Sequence, residues 1–426
     1  MTDLSFAARS KPNDRTARVM ARLDELATLS SDGEALTRLY LTPEHKAAAL
    51  KVMGWMEDAG MAASLDAVGN VVGRYAGSAP DAGTLILGSH IDTVRDAGRY
   101  DGNFGVVAAI EAVAELHARQ ERLAVAIEII AFGDEEGVRF PVTLSGSRAV
   151  AGTFDPAALD VTDDAGISLR AALDAFGGDP RAIAAIGRRK ADILGYVEAH
   201  IEQGPVLEAE GLPVGIVTAI AGASRFKVEV EGVAGHAGTV PMRLRRDALA
   251  AAAEMISTVE RTALDAPDLV ATVGRIEVQP GAVNVIPARA GFTVDLRSPS
   301  DAVRRHALGA LHATFADIAA RRGVSVAVVP FYDEAAAPCA PPLQQALEAA
   351  VQAEGIRPLC LPSGAGHDGL AMIALCPIAM LFVRCAGGIS HNPAESIAAE
   401  DAETAVRVLV AFLRRLDRTT LSTRTP

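Results

Sequence analysis

Three carboxylates, Asp134, Glu135 and Glu136, follow the apolar run AVAIEIIAF (124–132) and Gly133. Adjacent like charges repel, and burying a carboxylate without a partner is costly. Such a trio is either a solvated loop or the flank of a bound cation, and the histidines decide between the two. Of the nine, His45, His117, His306 and His312 sit in helical patterns among Ala, Arg and Leu and read as partly exposed helix residues. The other five, His90, His200, His236, His367 and His391, end strands or occupy small-residue loops (GSH, EAH, AGH, AGH, ISH). Those are the places where α/β sheets put their chemistry.

In GSHIDTVRDAGRYDG (88–102), His90 and Asp92 form an H-x-D pair. Residues two apart on an extended segment share a face, so Asp92 is expected at the outer ring nitrogen of His90, orienting a metal-bound imidazole. Asp101, followed by Gly102, lies eleven residues beyond His90. A two-metal site needs a bridging carboxylate and terminal His and carboxylate ligands around ions roughly 3.5–4 Å apart. Asp101 suits the bridge, and His90, Glu136, His200 and His391 supply the terminal set. With Glu136 on a metal, Glu135 is free to face the activated water, take its proton and deliver it to a leaving nitrogen. Asp134 is expected to be solvated or to cap a helix.

The elements that must position these residues are legible in part. Helical periodicity covers 10–30 and 43–60, with Pro43 after Thr42 as a helix start. TLILGSHIDTV (84–94) reads as a buried strand running into a loop, 105–120 as an Ala-rich helix and 124–132 as a second strand. That order implies a right-handed crossover and a covered, largely parallel sheet. Residues 152–193 read as Asp- and Ala-rich helical material. From about residue 223 the pattern changes: RFKVEVEGV (225–233) alternates as a half-exposed strand. It is followed by a helix (243–264), strands at about 269–278 and 290–298, a helix (301–323) and a strand (324–330). This β-α-β-β-α-β order describes an inserted α+β domain. A helix (341–354) and short strands near 378–383 then resume the first pattern. The expected fold is therefore an α/β domain with a mixed, largely parallel sheet and helices on both faces, formed by 1–222 and 331–426 and interrupted by an α+β domain at 223–330. The tail RTTLSTRTP is expected to fray.

Composition excludes other classes. Half of the 426 residues are hydrophobic, enough for a large core, and a net charge of −13 disfavours nucleic acid or an anionic membrane as partner. Aromatic residues, at 4%, are too scarce for base-stacking platforms. No run approaches the roughly 20 apolar residues of a membrane span, and the N-terminus lacks an apolar signal-peptide core. Cys339, Cys360, Cys376 and Cys385 show no close CxxC pairing, which points to free thiols in a cytoplasmic protein.

The stretches GSHIDTVRDAGRYDG, GDEEGVRF, EAHIEQGPVLE, GHAGTVPM, GAVNVIPARAGFTVDLR, SGAGHDG and GISHNPAES together resemble the allantoate amidohydrolases and N-carbamoyl-L-amino acid hydrolases. These are dinuclear metallohydrolases related to aminoacylases and carboxypeptidases. The resemblance runs from about residue 15 to 415. It implies that His90 and His200 bind one metal, Glu136 and His391 the other, with Asp101 bridging and Glu135 as base. It also implies substrate contacts from Gln203, His236, Asn284, Arg297 and the Gly364–His367 loop, including Gly366 and His367. In the peptidase branch the third terminal ligand is usually acidic; here it would be His200, which favours the carbamoyl and ureido branch. Arg297 can clasp a carboxylate with two hydrogen bonds, the alternative being an Arg–Asp surface pair with Asp295 on the same strand face. His236 and Asn284 can donate to a developing oxyanion, Asn284 being otherwise a turn residue; Gln203 can hydrogen-bond a ureido group. His367 either touches substrate or stabilises a tight loop.

The expected activity is hydrolysis of a linear ureido C–N bond in a small carboxylate-bearing substrate: allantoate first, an N-carbamoyl-L-amino acid or β-ureido acid second. A related aminopeptidase or aminoacylase, and a ureido-binding protein without turnover, are the remaining readings; His200 disfavours the first and Glu135 the second. A His/carboxylate set suits Zn²⁺ or Mn²⁺, and also Co²⁺ or Ni²⁺. The inserted domain is also the dimer interface in the resembling family, with one subunit's His236 equivalent reaching the partner's site. A homodimer is therefore expected, paired through strand 225–233 if that strand lies at a sheet edge.

Overall fold

Apolar runs uninterrupted by polar alternation make strands buried on both faces, and two such runs, Thr84–His90 and Ala126–Phe132, are buried at every position. The computed structural model describes residues 12–33 and 35–416; the tail RTTLSTRTP lies outside them. In chain order the strands are β1 (Ala62–Leu65), β2 (Val71–Tyr75), β3 (Thr84–His90), β4 (Ala126–Phe132), β5 (Ile193–Ile201), β6 (Val214–Ile220), β7 (Gly222–Glu231), β8 (Gly235–His236), β9 (Val270–Gln279), β10 (Val285–Ile286), β11 (Arg289–Ser298), β12 (Ser325–Glu334), β13 (Ala337–Pro338), β14 (Cys360–Ser363) and β15 (Ile378–Val383).

Two compact units result. Unit 1 holds the described residues up to Thr218, Cys339–Leu361 and those from Ala365 onward; unit 2 holds Ala219–Pro338 and Pro362–Gly364. The second crossing falls after Pro338 rather than at 330 because β12 continues to Glu334 and β13 follows it. The large sheet runs β1-β2-β4-β3-β5-β15-β6-β13. Its middle strands β4, β3, β5 and β15 are mutually parallel, with antiparallel strands on either side. Helix Asn103–Ala118 supplies the crossover between β3 and β4 and packs on β3 and β5; helices Pro341–Ala353 and Ala399–Arg415 pack on β15. Helix Pro43–Asp58 starts as read, with Thr42 accepting from the His45 N–H and Pro43 in the first turn.

Unit 2 has the β-α-β-β-α-β order, in an antiparallel sheet β12-β7-β11-β9. Helices Ala248–Leu264 and Asp301–Arg322 cover the face formed by Phe226, Val228, Val230, Phe292 and Val294. Strand β7 is central, paired on one side with β11 and on the other with β12, so the condition set for pairing through 225–233, a place at the sheet edge, is not met. Alternation reports burial of one face; it carries no information about lateral neighbours. The edges are β9 and β12.

Two further readings are corrected. Residues 152–193 form only short helical turns, Pro156–Asp160, Leu169–Phe176 and Ile183–Ile186, joined by turns. His45 is fully buried rather than partly exposed: its Nδ1 accepts from the Leu41 N–H and its ring stacks on Phe176. His117, His306 and His312 are exposed.

Candidate active site

The parallel strands β3 and β5 lie side by side and end together, which delivers His90 and His200 to one place. Their rings lie 5.7 Å apart and both are 1% exposed. The loop after β3 brings Asp101 beneath them. One oxygen of Asp101, Oδ1, is 3.5 Å from His90 Nε2 and 3.1 Å from His200 Nε2. The other, Oδ2, is 3.2 Å from His391 Nε2. Each oxygen thus serves a different set, as a bridging carboxylate must. Gly102 adopts φ +64°, and a Cβ there would lie 2.4 Å from the His90 ring, so only glycine can follow Asp101.

The loop after β4 supplies the acidic residues. Glu136 Oε2 lies 3.7 Å from His391 Nε2 and Glu135 Oε2 lies 3.9 Å from His90 Nε2. Ligand atoms within 4.8 Å of one another define the groups His90–Asp101–His200, Asp101–Glu136–His391 and His90–Glu135–Glu136. Five of the sequence-derived ligands and the candidate base therefore meet in unit 1. The donor set, imidazoles and carboxylates sharing one bridging group, fits two divalent cations.

The electrostatics carry the mark of a cation site. Burial, together with the neighbouring Glu136 and Asp368 charges and against the pull of His90, pushes Glu135 well above the usual carboxylate range. Burial, with Asp101 nearby, pushes Glu136 up to about 7. Asp101 is the exception: burial opposes its charge, but hydrogen bonds from His200, His391 and His90 hold it well below the usual range. His90 and His200 are correspondingly raised, burial being outweighed by Asp101. The cluster demands positive charge, which protons supply here and metal ions supply equally.

The role read for Asp92 changes. His90 Nδ1 bonds the main-chain oxygen of Asp92 at 3.0 Å, while the carboxylate stands 3.8 Å away. That carboxylate instead accepts from the main-chain N–H groups of Glu135 and Glu136, each at 3.2 Å. It holds the paired glutamates in place rather than the histidine. Asp134 is neither solvated nor a cap: it is fully buried, with φ +68°, and its side chain accepts from Ser145 Oγ.

Gln203, at φ +56°, donates from Nε2 to Asp101 Oδ2 (2.9 Å) and Ser390 Oγ (3.0 Å), and its buried Oε1 has no partner. His367 is 1% exposed; its ring sits 4.4 Å from that of His200 and 6.1 Å from that of Phe382. Gly366 packs near Glu135. In unit 2, His236 and Asn284 are exposed on the β8–β10 ribbon, where the Asn284 carbonyl accepts from the Ala237 N–H. Arg297 is half-buried; its Nε and one terminal nitrogen grip Asp295 at 2.8 and 2.9 Å, and the other donates to the Gly364 carbonyl. Of the five N–H groups in a guanidinium, two remain for a ligand. They border a cavity of about 570 Å³ lined by Arg225, Thr272, Thr293, Val270 and Phe331.

The sequence reading missed several supports. Arg38, fully buried, donates to the carbonyls of Ile91, Leu26 and Leu29 and to Asn103 Oδ1, so it pins both ends of the loop that carries Asp101. Glu198 accepts from Ser89 and Tyr196 under His200. Neither residue has a local sequence signature. Glu395 and Ser390 flank His391 in GISHNPAES, a stretch already marked, and proximity to a ligand was the available signal.

Comparison with known proteins agrees with this arrangement. The profile of the family described as "Peptidase family M20/M25/M40" matches residues 86–415. An N-carbamoyl-L-amino acid amidohydrolase of Geobacillus stearothermophilus is 42% identical, over 92% of this chain and 96% of its own. An allantoate deiminase of Arabidopsis thaliana is 40% identical, over 92% and 81%. The crystal structure of an amidase of the hydantoinase/carbamoylase family from Burkholderia multivorans superposes with a TM-score of 0.88 at 35% identity, covering 94% of this chain and 97% of that one. A hydrolase of C–N bonds, this chain belongs to the metal-dependent peptidase family M20/M25/M40, on the side of its allantoate and N-carbamoyl amino acid amidohydrolases.

Proposed function

We propose that the protein hydrolyses a linear ureido C–N bond of a small carboxylate-bearing substrate, with allantoate the first choice. The observation that carries this reading is Gln203. A buried amide oxygen without a partner, next to the bridging carboxylate, costs about 1–3 kcal/mol until a donor fills it, and the NH₂ of a ureido group is such a donor. Relatives named for allantoate and for N-carbamoyl amino acids support the class.

His90, Asp101 and His200 would hold one divalent cation and Asp101, Glu136 and His391 a second; Zn²⁺ or Mn²⁺ suits the donors, and Co²⁺ or Ni²⁺ is compatible. Bound there, the cations would polarise the ureido carbonyl and acidify a water. Glu135, 3.9 Å from His90 and beside the proposed cation ligands, accepts the proton at its carboxylate and returns it to the leaving nitrogen. Arg297 binds the substrate carboxylate with its two remaining N–H groups. His236 and Asn284 donate to the developing oxyanion, and Gly366 borders Glu135. His367, neutral because burial and the His200 charge push its proton affinity far down, supports the His200 ring.

Thr272, Thr293 and Arg225 beside Arg297 offer polar partners for the second ureido arm of allantoate. Val270 and Phe331, both largely exposed in the same cavity, favour the second reading, an N-carbamoyl-L-amino acid with an apolar side chain. Two copies pair along the edge strand β9, where Val270 and Ile276 are exposed. Among the described residues no helix is long and apolar enough to cross a membrane. The test is a turnover screen of metal-reconstituted protein with allantoate, N-carbamoyl-L-amino acids, a β-ureido acid and dipeptides. Ammonia release from a ureido substrate is expected; hydrolysis of dipeptides alone would replace the reading with a peptidase.

A further inference from the structure

Four of the five candidate ligands come from β3, β5 and the loops directly after β3 and β4, segments braced by Arg38 and Asp92. His391 does not. It stands on the loop between β15 and helix Ala399–Arg415, at φ +53°, with its side chain 51% exposed. Some other contact must fix its distance from Asp101.

Glu395, four residues on, makes that contact. It is 4% exposed. Its Oε1 accepts from the main-chain N–H groups of Tyr100 (2.9 Å) and of Asp101 itself (3.1 Å). Its Oε2 lies 2.9 Å from the hydroxyl of Ser390, the residue before His391. That hydroxyl is in turn 3.1 Å from Asp101 Oδ2 and accepts from Gln203. The carboxylate therefore ties the main chain at Asp101 to the loop carrying His391. Gly98 makes room for it: a Cβ there would lie 2.2 Å from the Glu395 carboxyl carbon. The His90 and His200 rings have their own supports in the carbonyls of Asp92 and Ile201.

We propose that Glu395 is a positioning residue for one cation only, the one assigned to Asp101, Glu136 and His391, because it sets the spacing between the Asp101 and His391 loops. The proposal rests on the two-cation reading above. It requires hydrogen-bond acceptance at the right reach, not negative charge. A glutamine keeps an oxygen for the two N–H groups and gives its NH₂ to Ser390 Oγ; an aspartate keeps the charge but is one methylene too short.

The experiment is equilibrium dialysis of the full-length protein against graded free Mn²⁺, with elemental analysis of bound metal, for wild type, Glu395→Gln, Glu395→Ala and Glu395→Asp. Wild type should bind two ions; one or none would overturn the two-cation reading itself, before any variant is considered. Given two, Glu395→Ala and Glu395→Asp should bind the tighter ion within about threefold of wild type and the other about 10- to 100-fold more weakly, the usual effect of losing such a partner, while Glu395→Gln should match wild type. Equal weakening of both ions, an unchanged second ion, or a Gln variant as impaired as Ala would each overturn the proposal. If Glu395→Ala does not fold, Glu395→Asp decides by the same comparison.

Discussion

The ligand cluster of unit 1 and the contact residues of unit 2 are built on opposite plans. His90, Asp101 and His200 are almost wholly buried and braced from several sides by Arg38, Gly102 and crossing main-chain hydrogen bonds. His236 and Asn284 are exposed, on a ribbon of two residue pairs. Burial makes this cluster chemically demanding: it raises the proton affinity of the neighbouring Glu135 and Glu136, while Asp101 keeps its charge only through hydrogen bonds from His200, His391 and His90. Exposure leaves the second group without any such demand. The physical consequence is that the unit 1 cluster is held in a fixed geometry by its own surroundings, whereas nothing buried around His236 and Asn284 holds their side chains in the same way.

The largest expected effect tests the preformed half. Glu135→Gln removes the proton acceptor but preserves shape, and the Asp92 carboxylate still holds the main chain of residues 135 and 136. Turnover should fall by about two to four orders of magnitude, the usual contribution of a general base, with both metals retained by elemental analysis. Near-normal turnover would move the base elsewhere. Loss of metal together with turnover would make Glu135 a ligand.

A second prediction tests burial itself. His45 is held neutral, its proton affinity pushed down to about 3 by burial and then by Arg38, Lys46 and Arg139. The folded state thus refuses a proton that the unfolded chain accepts below its ordinary value near 6.5. The sign follows: the stability contributed by neutral His45 is complete above that value and is lost as pH falls from about 6.5 toward 3. The full loss is on the order of 5 kcal/mol, about 2 kcal/mol of it by pH 5. Glutamine at position 45 can still accept from the Leu41 N–H but cannot titrate. Urea unfolding followed by Trp55, the chain's one tryptophan and on the same helix, should show wild type losing more stability than His45→Gln between pH 7 and pH 5. Equal losses would remove His45 from the account.

The contrast between units also explains what the sequence revealed. β3 and β4 were legible because their runs are largely apolar, β4 despite Glu128, and the ligands because His and carboxylates at strand ends have few other uses. β5, beside β3 at the middle of the sheet, was not read as a strand: ILGYVEAHI breaks its apolar run at Gly195 as well as at Glu198, a buried carboxylate that accepts from Ser89 of β3 and from Tyr196. The burial of Asp134 depends on Ser145 in the same way. The central place of β7 depends on strand order, which alternation does not encode. The helix Ala399–Arg415 is a different case, because its buried Ala402, Ala405, Val406, Leu409 and Leu413 recur at helical spacing; the signal was present.

A smaller effect separates recognition from support in unit 2. Arg297→Lys should lower kcat/KM on carboxylate substrates by about 10- to 100-fold, since a hydrogen bond to a charged group contributes about 1.5–3 kcal/mol and lysine lacks the planar fork. An analogue with that carboxylate replaced by an amide should be little affected. Equal loss on both would assign Arg297 to its Asp295 pairing and leave the substrate carboxylate without a partner.

The smallest effect is the most direct test of the opposition between the two plans. If unit 2's exposed histidine is completed by a second copy of the chain, then two different defects need not share one site. On the proposed reading, chains carrying Glu135→Gln would lack the base, chains carrying His236→Ala would lack the oxyanion donor, and each homodimer would be inactive. In a mixed dimer where His236 acts on the partner, one site has neither defect, because the intact His236 of the first chain serves the intact Glu135 of the second, and the other site has both. Restored activity is then bounded at one competent site in two, about half of wild type per mixed dimer. Differently tagged chains purified as heterodimers and assayed on the substrate from the turnover screen should reach a measurable fraction of that bound, and activity should scale with heterodimer content. If His236 acts within its own chain, every site in the mixture keeps one defect and the heterodimers stay inactive. That outcome would place the missing half of the recognition surface within the same chain and end the case for shared sites.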